Sequence, residues 1–470
     1  MLAAWVVLLC LGTLAPFDFT REAAAAGARF SFGNYQQDPL DFVFNVVLFV
    51  PLGVLAWSQA RRTGTGVAGS LLLCAAAGGC LSAAIEYVQG WLASRDSSLL
   101  DVLSNTVGAG LGAWLAHRWG ARASRAYARS RLRTTRAVPW VAAALGVVTL
   151  ATSGLLQAQT RLSNWDDQFP LLVGNEATGD RPWRGQLFSV AIFSGATAAD
   201  SLRQFAIDGE ASLPTERLAS FDLQGSATSG GVAGMMPTPD GPEDVGGTSS
   251  WLAHPVDAAP WVRRIRDTNA FTLRVRCATA DMAQGGPARI VSNSADIALR
   301  NFTIGQQGTA LVVRLRTPAT GVNGNEPELV MPAVFTDAAP RDLLVSYDGA
   351  TLAVAVAGSH QVARLELTPG LVAARAFVAP WQLRAAQVPV FSLVYLASLF
   401  LLPGALVGAS GQRAAGRLAL GACWLAVFPA AYEATLAAVS GRPFHASNAF
   451  TAMAVGAAVL PTAAFIVWRS

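Results

Sequence analysis

The sequence predicts an α-helical polytopic membrane protein of about eight transmembrane helices, with an extracytoplasmic all-β jelly-roll sandwich inserted into it. Three observations predict this. Of the 470 residues, 52% are hydrophobic and 14% charged, where soluble domains carry about 25% charged residues. The long apolar segments lie at the two ends of the chain. The middle, from about 160 to 380, is rich in Gly, Pro, Asp, Thr and short alternating runs.

Taken in order, Leu2–Leu14 is short and apolar. It fits a first membrane helix or a cleaved signal, and the missing Lys or Arg before it argues against a signal. A polar loop follows to about Leu40. Three spans are then expected at about Phe42–Trp57, Val67–Trp91 and Leu100–Trp119, the first two joined by a short basic turn at Arg61 and Arg62. Arg118, Arg122, Arg125, Arg129, Arg131, Arg133 and Arg136 come next. Cytoplasmic loops are enriched in Lys and Arg, so 121–137 reads as a basic cytoplasmic loop. A span at 138–157 carries the chain out.

The runs FTLRVRC (Phe271–Cys277), ALVVRLRT (Ala310–Thr317), DLLVSYDG (Asp342–Gly349) and TLAVAVAG (Thr351–Gly358) alternate with period two between turn residues, as strands of an antiparallel sandwich do. Cys277 is the one cysteine of this domain, so no disulfide within it is expected. A C-terminal three-helix membrane domain at 388–468 closes the chain, with Arg413, Arg417 and Arg469 reading as cytoplasmic. Both termini are thus expected inside, in the cytoplasmic membrane. The net charge of +4 comes without a basic patch interleaved with aromatics, so nucleic acid is not an expected partner.

The candidate site lies in the first three long helices. Asp41 and Asn45 are four apart; Ser82, Glu86 and Gln89 follow at four and three; Asp101, Asn105, Gly108 and Gly112 at four, three and four. This spacing puts each set on one helix face. In antiparallel spans, all the polar ends would share the outer membrane face, with Arg95 in the loop between. An ionisable residue at the bilayer centre costs about 2.5–3.5 kcal/mol, and far less at the interface. Asp41 and Asp101 could therefore serve only as helix caps, and Asn45, Asn105 and Glu86 only as hydrogen-bonding glue between helices. As a site, Asp41, Asn45, Glu86, Gln89, Arg95, Asp101 and Asn105 could hold a polar head group. Arg95 would pair with phosphate or carboxylate, and Glu86 with Asp101 are the acid/base candidates if a reaction occurs. No Cys/His metal cluster is legible. Glu433 and Arg442 are nine apart, as are Glu86 and Arg95, and Asn448 follows Arg442 by six, as Asp101 follows Arg95. The last three helices therefore read either as a decayed copy of the first three or as a chance likeness between Ala-rich helices.

At Asp41, Asn45, Phe49, Pro51, Leu52 and Gly53, then Ser82, Ile85, Glu86 and Gln89, then Arg95, Asp96, Asp101, Asn105, Gly108 and Gly112, the chain resembles the VanZ-like family over about its first 120 residues. The family takes its name from a protein associated with glycopeptide antibiotic resistance. The resemblance implies a four-helix integral membrane domain at 1–120 and a motif, with no settled reaction. The middle domain, 160–380, resembles concanavalin-type, LamG-like sandwiches at Leu171–Phe193 (with Trp183 and Gly185), at Phe271–Gln306 and at Tyr347–Gly349. The run resembling the closing strands comes first, as in a circular permutation. Such sandwiches often bind glycans or proteins, sometimes with calcium. No cofactor is expected, and no calcium ligand set can be assigned, Asp208 and Asp348 being only loose candidates. The resemblances imply an envelope protein that binds or positions a lipid-linked or cell-wall component. The alternatives are a membrane enzyme acting on a lipid-linked glycan or phospholipid head group, and a scaffold for envelope assembly. Membrane lipid, lipid-linked glycan and an outer glycan or protein are the expected partners.

Overall fold

A computed structural model describes residues 2–14, 39–92, 98–134, 137–222, 243–244, 258–378, 383–409 and 414–469. The chain forms two compact units. One comprises Met1–Thr149, Leu396–Pro429 and Phe450–Ser470, the other Leu150–Tyr395 and Ala430–Ala449.

The first unit begins with α1 (Leu2–Thr13), α2 (Pro39–Ala60), α3 (Val67–Gln89) and α4 (Leu99–Thr134). Small residues decide how these pack. A Cβ at Gly53 would collide with the Ala109 carbonyl, and one at Gly112 with the Val50 carbonyl, so α2 and α4 touch backbone to backbone. A Cβ at Gly79 would lie 2.6 Å from Thr106 Oγ1, so α3 also lies close against α4. In a bilayer the solvent gives little apolar drive, and such close approach supplies the packing instead. Helix α1 adds Leu9 to a core of Phe49, Leu52 and Ile85. At 12 residues it is shorter than the roughly 20 needed to span. Pro51 stays inside α2, as membrane helices tolerate.

The segment 121–134, expected as loop, is helical: α4 runs unbroken to Thr134. Its residues are Ala, Arg, Ser and Leu with one Tyr and one Thr, all compatible with helix, and neither Pro nor Gly interrupts it beyond Gly120. The chain continues through α5 (Val138–Ala158). After the β region come α9 (Val388–Ala409), α10 (Ala414–Ser440) and α11 (Ala446–Arg469). Among the described residues six helices are long and apolar enough to cross a membrane: α3, the first part of α4, α5, α9, α10 and α11. The chain is therefore a multi-pass membrane protein.

The β region holds two antiparallel sheets. Strands β1 (Leu171–Val173), β6 (Ala288–Ser294), β7 (Arg300–Gln307), β8 (Ala310–Leu315) and β9 (Leu329–Met331) form one, in that order. The other runs β12 (Val362–Glu366), β11 (Thr351–Val356), β10 (Arg341–Tyr347), β5 (Phe271–Thr279), β2 (Gly185–Ser194) and β3 (Arg217–Asp222), with the short β4 (Glu243–Asp244) also on β2. Helices α6 (Ala199–Asp208), α7 (Ala259–Thr268) and α8 (Pro369–Ala374) decorate them. The four alternating runs of the sequence are β5, β8, β10 and β11.

Strands β6 and β7 depart from simple alternation, being buried on both faces. The stretch before β1 covers them. Asn301 accepts from the Asp166 amide at 2.8 Å, Asn293 donates to the Phe169 carbonyl at 2.6 Å, and Trp165 packs on Phe271 and Phe302. Polar strand residues are thus satisfied by neighbouring backbone groups. Trp183 is fully buried, its indole N–H donating to Gln306 Oε1. Cys277 is buried too, and burial pushes its thiol up to about 12, which leaves it unreactive.

This unit also contains the neighbouring helix ends. Thr160 donates to the Gly349 carbonyl at 2.9 Å, and Gln157, near the end of α5, to the Leu367 carbonyl at 3.1 Å. Arg161 donates to the Val439 carbonyl at 2.6 Å, and Thr368 and Ser392 are hydrogen-bonded at 2.7 Å. Asn269 holds a left-handed turn (φ 53°), donates to the Ser440 carbonyl at 2.7 Å, and accepts from the Leu162 amide at 2.8 Å.

Candidate functional site

Helix α4 gathers the polar residues of the first unit. Asp101 and Asn105 are one turn apart on it, and each meets a different neighbour. Asn45 of α2 donates to Asp101 Oδ1 at 2.8 Å, and Asn105 donates to Ser82 Oγ of α3 at 2.8 Å. Glu86 lies one turn beyond Ser82 and accepts from the Ser98 amide, just before α4, at 2.9 Å. Ser98 Oγ in turn accepts from the Leu100 amide at 3.2 Å, an N-terminal cap for α4. Ser82, Glu86, Ser98 and Asn105 are all buried.

Of the residues expected at the site, Asn45, Glu86, Asp101 and Asn105 thus converge on the α4 end. Gln89 does not join their hydrogen bonds: its amide donates to the Thr13 carbonyl at 2.7 Å and ties α3 to the end of α1. The Asp41 side chain and Arg95 lie outside the described residues. The sequence spacing missed Ser98, whose signal was its place directly before the first apolar turn of α4.

One atom of the cluster stands apart. Asn105 is 6% exposed, and its Oδ1 has no hydrogen-bond partner among the described residues. A buried acceptor left unmade costs about 1–3 kcal/mol. The cluster can therefore accept a hydrogen bond from an incoming hydroxyl, amide or ammonium. No group of three metal-ligating side chains occurs among the described residues. Asp348 accepts from the Ala350 and Thr351 amides and so closes the β10–β11 turn.

A second polar cluster sits in the second unit, where α10 passes to α11. The fully buried Glu433 takes a two-pronged bond from Arg442, at 2.5 and 3.0 Å. It also accepts from the His445 amide at 3.0 Å and from Asn448 Nδ2 at 3.4 Å.

A third charged group was not foreseen from sequence. Glu176, Arg289 and Arg300 are fully buried in the β region, with Arg289 Nε at 2.5 Å and Arg300 Nη1 at 3.3 Å from the same carboxylate oxygen.

Close-packed apolar helices with a buried polar cluster at one end define a polytopic membrane protein. Residues 5–120 match the model of the VanZ/LLP1 family, so this part of the chain is VanZ-like. No curated protein and no solved structure matches the chain.

Proposed function

We propose that the protein is a cell-envelope membrane protein whose VanZ-like cluster binds or positions a lipid-linked or cell-wall component. The bound part is a polar head group bearing hydrogen-bond donors: the hydroxyl of a sugar or glycerol, or an ammonium. The observation that carries this reading is Asn105, buried, anchored through Ser82, with its carbonyl oxygen unengaged among the described residues. Asn45 and Asp101 supply the neighbouring polar wall.

In this reading the protein lies in the cytoplasmic membrane with about eight spans, α1 and α2 adding to the six long apolar helices. The arginines beyond α4 lie inside, by the positive-inside rule, and both termini are cytoplasmic. The polar helix ends then face outward, and the β region, a concanavalin- or LamG-like sandwich with permuted ends, is extracytoplasmic. It offers a surface for a glycan or protein.

The test is lipid mass spectrometry on the full chain extracted in native nanodiscs. Wild type should be enriched in one head-group class over the bulk membrane, and Asn105→Ala should lose that enrichment. Equal lipid profiles for wild type, variant and bulk membrane would overturn the reading.

A further inference from the structure

The two polar clusters, though in different units, are built alike. Glu86 accepts a backbone N–H twelve residues later, from Ser98; Glu433 accepts one twelve residues later, from His445. Each carboxylate lies in the C-terminal part of an apolar helix, three residues before the end of α3 and seven before the end of α10, and bonds the backbone that leads into the next helix. Arg442, nine residues beyond Glu433, pairs with it, and Arg95 stands nine beyond Glu86 in the sequence.

The helix before each cluster also packs alike. Phe49 and Phe400 are fully buried, and a glycine follows each by four residues, Gly53 and Gly404. Phe49 packs against Gly108 of α4, and Phe400 against Gly456 of α11. A side chain at Gly53 would strike Ala109 and Ala113 of α4; one at Gly404 would meet Leu460 and Ala463 of α11. The registers agree to within one residue: Gly108 follows Glu86 by 22, and Gly456 follows Glu433 by 23.

The copies differ in one respect. At the positions of Ser82, Gln89 and Asn105 the last helices carry Pro429, Leu436 and Ala452. Counted from the buried phenylalanines, Leu396 stands where Asn45 does. The turn after α10 is engaged elsewhere: the Ser440 carbonyl accepts from Asn269 and the Val439 carbonyl from Arg161, both of the β region.

We propose that α9–α11 are a second VanZ-type three-helix unit that has kept its carboxylate latch and lost its other polar groups. The comparison divides the first cluster in two. Glu86, matched by Glu433, is a positioning residue that latches a turn. Asn45, Ser82 and Asn105, which have no counterpart in the second copy, are the ligand-directed groups. This last assignment rests on the head-group reading above; the latch does not.

Amide hydrogen exchange on the full chain tests both, because the Ser98 and His445 amides are themselves the latch donors. Loss of a bond to a charged acceptor should speed exchange about tenfold. Glu86→Gln should do so at Ser98, Glu433→Gln at His445, and Asn105→Ala at neither. In the same samples Glu433→Gln should keep the head-group enrichment that Asn105→Ala loses. Unchanged exchange at His445 in Glu433→Gln would overturn the shared latch. Faster exchange at Ser98 in Asn105→Ala, or lost enrichment in Glu433→Gln, would overturn the division. If Glu86→Gln does not fold, Glu433→Gln decides the latch. If wild type selects no head group, the proposed function fails while the exchange arms still decide the latch.

Discussion

Removing the charge of Glu176 should be among the costliest single changes in the β region. Its carboxylate accepts from Arg289 at 2.5 Å and from Arg300 at 3.3 Å, and the Ser294 hydroxyl donates to it as well. All three charged side chains are at most 1% exposed, so the trio holds one negative and two positive charges away from water. Burial pushes both guanidinium groups down from their ordinary range, the neighbouring Arg289 adds to this at Arg300, and Glu176 opposes it. Glu176→Gln would leave two guanidinium groups buried without a counter-charge. Breaking a buried pair in this way costs about 3–5 kcal/mol. For a unit of this size, about 2–4 °C of Tm per kcal/mol gives a fall of roughly 6–20 °C. The assay is the thermal unfolding of the detergent-solubilised chain, followed by near-ultraviolet circular dichroism. Arg300→Met gives the internal control. It removes the excess cation, whose Nε has no partner among the described residues, and leaves the Arg289–Glu176 pair neutral. Its fall in Tm should be less than half that of Glu176→Gln. A fall under about 2 °C for Glu176→Gln, or an equal or larger one for Arg300→Met, would refute the electrostatic reasoning.

Two further outcomes follow from the packing and the surface. Gly112→Val drives a side chain into the Val50 carbonyl and should abolish the monodisperse peak in size-exclusion chromatography, whereas Gly120→Ala, with nothing within 4 Å of its new carbon, should elute as wild type. Arg264 bonds Glu216 at 2.8 Å and holds its carboxyl below the ordinary value of 4.5. A lowered folded value means the contribution is full above about pH 4.5 and is lost as pH falls through the folded value. Arg264→Gln should therefore lower Tm at pH 7, and the difference from wild type should shrink steadily as pH falls below 4.5; a gap that does not shrink in acid would count against the ion pair.

The membrane helices were legible because long apolar runs leave few other folds, and the first cluster because spacings of four and three put polar residues on one face. Asn45 with Asp101, and Ser82 with Asn105, are pairs that such spacing can anticipate. Gln89 belonged to the same stripe, yet its side chain reaches a backbone carbonyl of α1, and sequence patterning carries no record of backbone targets. The same blindness hid Ser98, which meets Glu86 through its amide. The arginine-rich stretch after Gly120 read as loop because its charge signals a compartment, while its helix depends only on unbroken hydrogen bonding. The Glu176 trio escaped because Arg289 and Arg300 sit in strands, where a charged residue ordinarily marks the solvent face; here Glu176, just after β1, meets both of them in the interior.

Both crossings between helix and β region are fastened. The chain leaves α5 through Gln157, Thr160 and Arg161, each bonded to a distant carbonyl, and re-enters near α9 through the Thr368–Ser392 bond. A sheet region moored at both its entry and its exit holds the last turns of α5 and the first turn of α9 at fixed stations on its own surface, so either helix end can part from it only by breaking buried hydrogen bonds.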